Sequence, residues 1–210
     1  MSTRRITFDI ETGPAPNARE FCREPKDKRS KSIEEQMEDA ALDALTGMVL
    51  LVGVYDTSTN GVSWFEGPED YLLRNFWDFY NGTRNNANNA DWVGFNCGDF
   101  DWPFLIRRSF INGVKPGKVI NERGYMLEGL TDLRKLWQCG NKQAPGSLDA
   151  ICRAMRLGKK SGDGAKFAEL YASDPSAARD YCANDIWLTV KLGNAMLGEV
   201  SKPYTATAGA

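Results

Sequence analysis

At 210 residues, 42% hydrophobic and 11% aromatic, the chain can bury one substantial core and is expected to form a single domain over residues 1–200. It contains no histidine, which removes serine–histidine and cysteine–histidine hydrolases, HExxH metalloproteases and every mechanism with an imidazole base. A net charge of −2 supplies no whole-protein field for duplex nucleic acid, so any nucleic acid has to be held locally.

No apolar run approaches the length of a membrane span, and Met1-Ser2-Thr3-Arg4-Arg5 leads into a strand-like segment without a signal-peptide core. The expectation is a soluble, cytoplasmic protein with no membrane partner. The five scattered cysteines include no C-x-x-C pair and read as reduced, mostly buried small residues.

Ile6 to Glu11 is a short β-prone run closed by Thr12-Gly13-Pro14; Ile6, Phe8 and Ile10 share one face, Asp9 and Glu11 the other. Residues 14–31 carry three of the nine prolines and many charges, and are expected to form a charged arm. Within it, residues 23–31 hold a local excess of three positive charges, read as solvated. Ser32 and Glu35 make a capping box for a helix expected over 32–45.

Met48 to Tyr55 is a continuous apolar run, the pattern of a strand covered on both faces. Asn60-Gly61 signals a hairpin returning through Val62 to Phe65, so the first three strands are expected to form a meander. A helical period follows over 69–80, a loop over 81–90, a strand over 91–95, and a helix from Asp101-Trp102-Pro103. Leu130–Leu133 reads as a short last strand. From Ser147 the pattern is helical, broken by glycines at 162–164 and resuming over 165–172 and 175–197; residues 201–210 are expected to be a disordered tail. This order describes an α/β or α+β domain with a mixed sheet.

On a strand, Asp9 and Glu11 project carboxylates about 6–7 Å apart along the chain, half of a cage for a hard divalent cation or, equally, two exposed acids. Tyr181 and Asp185 stand one helical turn apart, a catalytic pair or an ordinary surface pair. Asp99 and Asp101 follow a strand end, where α/β proteins place ligand-binding groups.

Three segments together resemble the motifs of the DnaQ-like 3′-5′ exonuclease superfamily in its tyrosine (DEDDy) subtype. They are Phe8-Asp9-Ile10-Glu11-Thr12, then Gly94-Phe95-Asn96 with Phe100-Asp101-Trp102-Pro103-Phe104-Leu105, and Tyr181-Cys182-Ala183-Asn184-Asp185. The details most resemble the proofreading domains of B-family DNA polymerases and their free-standing bacterial relatives. Phe95 stands where the family often has histidine.

The resemblance implies a ribonuclease-H-like α/β fold, with a mixed five-stranded sheet flanked by helices, and two bound magnesium or manganese ions. It implies that Asp9 bridges the ions, Glu11 and Asp185 complete the site that acidifies the attacking water, Asp101 supports the second ion, and Tyr181 orients the water. Thr12, Asn96 and Phe100 become candidates for holding the terminal nucleotide. An all-oxygen ligand set, without histidine or thiolate, favours magnesium or manganese over zinc.

The expected activity is metal-dependent release of nucleoside monophosphates from single-stranded DNA 3′ ends. The alternatives are a 3′-5′ exoribonuclease, so that RNA remains a partner to test, and a catalytically silent nucleic-acid-binding module. With no polymerase segment in the sequence, the expected settings are repair, end trimming or service to a separate polymerase.

Overall fold

The computed structural model describes residues 4–27, 30–84, 90–117, 129–162 and 164–199. Strand β1 (Arg5–Pro14) leads through a 3-10 turn at Ala18–Phe21 to helix α1 (Ile33–Glu38) and a second 3-10 turn at Ala40–Leu42. Strands β2 (Gly47–Asp56) and β3 (Gly61–Glu66), helix α2 (Glu69–Thr83), strand β4 (Asp91–Gly94) and helix α3 (Asp101–Ile111) follow. Strand β5 (Leu130–Asp132) then runs into α4 (Leu133–Gln138), α5 (Leu148–Ala154), α6 (Phe167–Ser173) and α7 (Pro175–Leu197).

The five strands form one sheet in the order β3-β2-β1-β4-β5. β1 pairs antiparallel with β2, and β2 with β3, which is the expected meander; β1 to β4 and β4 to β5 are parallel. Asn60, at φ 53°, turns the hairpin.

Alternation along β1 divides the core. Ile6, Phe8 and Ile10 face α2 and α3 in a cluster rich in aromatic rings, where Phe76 meets Trp77 and Trp92 edge-on at 5.0 and 5.8 Å. The indole N–H groups of Trp77 and Trp92 donate to Ser109 Oγ and Thr83 Oγ1, so the rings are buried without orphaning their donors. On the other face Leu51 and Tyr55 pack against Phe167, Tyr181, Cys182 and Ile186 of α6 and α7. Asp9 and Glu11 project to this second side.

Gly53, the register partner of Asp9, makes that approach possible. A Cβ there would lie 2.4 Å from Ile186 Cδ1, 2.6 Å from Trp64 and 3.1 Å from Cys182 Sγ. The missing side chain is the space into which α7 settles.

A buried ion pair ties the first side together. Glu69 accepts from Val49 N (2.7 Å), from Arg108 Nε and Nη2 (2.9 and 2.6 Å) and from Asn112 Nδ2 (2.9 Å), while Arg108 Nη1 donates to Ala44 O (2.9 Å). One knot therefore holds α2, α3, β2 and the turn before β2.

The helix expected over 32–45 is shorter. Its capping box forms as expected, with Glu35 N donating to Ser32 Oγ and Ser32 N to Glu35 Oε2, but α1 ends at Glu38. The chain must double back so that Ala15 N can donate to Thr46 O beside β1, and a continuing helix would carry it away. Of the charged arm, Ala15 and Ala18 are buried beside β1, whereas Arg23 to Asp27 are exposed, as expected for a solvated charged run, and Gln36 binds both N–H and C=O of Arg23. Lys28, Arg29 and the 201–210 tail lie outside the described residues, as do residues 85–89 of the expected 81–90 loop, whose first residues instead belong to α2, which runs on through Thr83.

Candidate active site

β1 carries Asp9 and Glu11 at the second face of the sheet, and α7 lies across them with Tyr181 and Asp185 one turn apart. Glu11 sits at an irregularity: it pairs with Leu51 but Thr12 pairs with Val49, so one extra residue of β2 is accommodated there. Such bulges re-aim side chains and recur beside active sites. Asp101 arrives from the start of α3, and its Oδ1 accepts from Ile10 N at 3.2 Å, fixing that helix to β1 between the two acids.

Glu11, Asp101, Asp185 and Tyr181 are all buried, at 8%, 3%, 4% and 7% exposure. Burial raises the carboxyls above their usual range, and their mutual repulsion adds to it. Asp9 is raised well above its ordinary value by desolvation, then by Glu11, Asp101 and Asp185. Glu11 is pushed up to about 8 by desolvation and then Asp185, and Asp101 to about 7 chiefly by desolvation. Asp185 is raised by desolvation even though Lys160 Nζ stands 2.5 Å from its Oδ2.

Lys160 was not singled out in the sequence. Its ammonium also lies 5.5 Å from the centre of the Tyr181 ring. Burial works against its charge, but Asp185 outweighs burial and raises its pKa. The available signal was Gly158-Lys159-Lys160-Ser161-Gly162, a lysine pair in the glycine-flanked break before α6. The phenol of Tyr181 is lifted to about 12 by burial and then by Asp185, so it keeps its proton at neutral pH.

Two carboxylate oxygens, Glu11 Oε1 and Asp185 Oδ1, are buried with no hydrogen-bond partner. An orphaned carboxylate oxygen in a cluster of like charges is strongly unfavourable, and a divalent cation removes both problems at once. The donor set therefore fits a metal. Among the described residues, the ligand atoms that lie within 4.8 Å of one another belong to Asp9, Glu11 and Cys182. A thiol that the sequence reading did not place in the site thus lies beside the two acids of β1. Burial, then Asp9 and Glu11, hold that thiol protonated.

The three residues considered for substrate each have a protein partner. Thr12 Oγ1 donates to Ala41 O at 2.7 Å, pinning the turn before β2 to β1. Asn96 has a left-handed backbone (φ 60°), and its Oδ1 accepts from Arg134 Nη1 at 3.0 Å. Phe100 stands just before α3 with its ring 5.5 Å from that of Phe104. Asp132 organises this loop: its carboxylate accepts from the N–H groups of Asn96, Gly98 and Arg134 at 2.9–3.0 Å.

The raised carboxyls carry a stability prediction. A carboxyl whose folded pKa exceeds its unfolded value supports folding at low pH, and that support is lost as pH rises through the folded pKa. For Glu11 the window runs from about 4.5 to about 8, and for Asp101 from about 3.8 to about 7. The melting temperature in EDTA should fall across neutral pH, and the gap between magnesium-loaded and metal-free protein should widen. Calorimetry on both sides of neutrality tests this; a gap independent of pH would refute the electrostatic account.

A mixed five-stranded sheet with helices on both faces is the ribonuclease-H-like fold. The chain belongs to a family described as predicted 3′-5′ exonucleases related to the exonuclease domain of PolB, whose sequence pattern matches residues 48–192. That match covers Asp101, Tyr181 and Asp185 but stops short of Asp9 and Glu11, which rest on geometry.

Among solved structures, the chain is similar to the family B DNA polymerase of the hyperthermophilic archaeon Pyrobaculum calidifontis. The TM-score is 0.64 at 21% identity, covering 93% of this chain and 24% of the polymerase. No curated protein sequence matches it. Among the described residues, no helix is long and apolar enough to cross a membrane.

Proposed function

We propose that the protein is a metal-dependent exonuclease that shortens single-stranded DNA from the 3′ end, releasing nucleoside 5′-monophosphates. The observation that carries this reading is the pair of orphaned oxygens on Glu11 and Asp185 among carboxyls raised by burial and repulsion. Asp9, Glu11, Asp101 and Asp185 would hold magnesium or manganese, the hard ions that suit carboxylate ligands. When bound, such ions supply positive charge for the phosphate and an acidified water at neutral pH.

The side chains do the rest. In hydrolysis a water oxygen attacks phosphorus, the bond from phosphorus to the 3′-oxygen breaks, and that oxygen leaves with a proton. Tyr181, protonated at neutral pH, is suited to orienting the attacking water rather than removing its proton. Lys160 holds Asp185 and places a positive charge beside the phenol, where it can meet the phosphate. Likeness to a DNA polymerase supports DNA as substrate. Repair, end trimming or service to a separate polymerase are the settings it suits.

The test is cleavage of 5′-labelled single-stranded DNA and its RNA counterpart with manganese, magnesium or EDTA. A metal-dependent ladder shortening from the 3′ end supports the proposal, and preferential cleavage of RNA would move the substrate to the exoribonuclease reading. No cleavage of either by folded, metal-binding protein would defeat it in favour of a silent binding module. Tyr181→Phe should bind metal as before and turn over about a hundredfold more slowly, the usual scale for a positioned proton-handling group. Wild-type single-turnover rates in that variant would remove Tyr181 from the mechanism.

A further inference from the structure

We propose that Asp9, Glu11 and Cys182 form a thiol-containing site for soft divalent ions, zinc or cadmium, inside the carboxylate cluster. The inference deepens the reading above that the cluster holds metal. Its first observation is geometric: the ligand atoms of these three residues all lie within 4.8 Å of one another. The second is that Glu11 Oε1, on a side chain more than nine-tenths buried, has no hydrogen-bond partner.

The thiol is held there by the fold. Cys182 is fully buried, and its Sγ lies beside the space left by Gly53, between β2 and α7. With no exposure to solvent, it faces the acids of β1.

Magnesium and manganese prefer carboxylate oxygens, whereas zinc-like ions take thiolates readily. Zinc–sulfur and zinc–oxygen bonds of about 2.3 and 2.0–2.2 Å separate the ligands of a tetrahedral ion by about 3.5 Å. The three side chains therefore need to draw together by no more than about 1.3 Å, and the larger cadmium requires less. On binding, the S–H bond breaks, the metal–sulfur bond forms, and the proton passes to solvent. A soft ion captured in this way occupies the oxygens of Asp9 and Glu11 and excludes the hard ion from them. Zinc would thus arrest the protein rather than activate it.

The experiment uses the full metal-free chain carrying Cys22→Ser and Cys139→Ser, which removes the half-buried and the exposed thiol. It is titrated with cadmium chloride while sulfur-to-cadmium charge-transfer absorption is followed in the ultraviolet. One equivalent should raise the band, and the cadmium-loaded protein should no longer bind manganese. Adding Cys182→Ser should abolish the band and lower cadmium affinity relative to manganese about tenfold or more. Asp9→Asn, which keeps the thiol, should weaken cadmium binding by a similar factor.

A band that survives Cys182→Ser, or manganese binding that is unchanged in the cadmium-loaded protein, would overturn the proposal. If Cys182→Ser does not fold, cadmium affinity unchanged by Asp9→Asn would overturn it equally. The readout does not depend on nuclease activity, so a cadmium–thiolate band in a protein that cleaves nothing would support this site while defeating the proposed function.

Discussion

Asp9→Asn should lower metal-dependent hydrolysis by about three orders of magnitude, because on the proposed function several kcal/mol of charge stabilisation at the phosphate would depend on the ions this carboxylate would help to hold. The fold should survive. Asp9 is raised by burial and by three neighbouring carboxylates, so its neutral isostere relieves repulsion. At pH 8 the metal-free variant should therefore melt higher than metal-free wild type, and magnesium should add less to its melting temperature. Activity and stability thus move in opposite directions, which separates loss of chemistry from loss of structure. Asp185→Asn should behave likewise in activity, although Lys160 already offsets part of the repulsion there. Wild-type hydrolysis in both folded variants would remove the carboxylates from the mechanism.

Arg108→Met should be the most destabilising single change outside the site. The Arg108 and Glu69 side chains are only 8% and 6% exposed, and removing the guanidinium strands a buried carboxylate. Breaking such a pair costs about 3–5 kcal/mol, which for a domain of this size lowers the melting temperature by roughly 10 °C or more. Adding Glu69→Gln should restore part of the loss, because the amide oxygen can still accept from Val49 N without carrying charge. A single variant that melts within a degree or two of wild type would mean that water reaches Glu69 and the knot is not closed.

How much of this was legible in the sequence varies with the range of the interaction. β1, β2 and the hairpin were readable because period-two alternation, an unbroken apolar run and Asn60-Gly61 are local signals. The extra turn of α2 and the early end of α1 were not, because the second depends on Thr46 returning to Ala15 across the sheet. Helix α4 was missed because Asp132 is at once the last residue of β5 and the cap of the helix, with no glycine or proline between them.

Site residues divide in the same way. Asp9, Glu11, Asp101, Tyr181 and Asp185 stood out as motif residues. Lys160 and Cys182 did not, since nothing in a lysine pair or a lone cysteine says that a helix will turn it toward an acid. Asp132 and Gly53 act through backbone contacts and empty space, which composition does not encode.

Strand β1 lies between β2 and β4, with partners along both edges. A fragment trimmed to residues 48–192, the span of the family match, would lose the middle of the sheet rather than a decorative end. Its remaining strands would separate into an antiparallel pair and a short parallel pair, each with an open edge able to recruit strands from other molecules. Such a fragment should precipitate on expression, and adding back residues 4–47 as a separate peptide should recover soluble material.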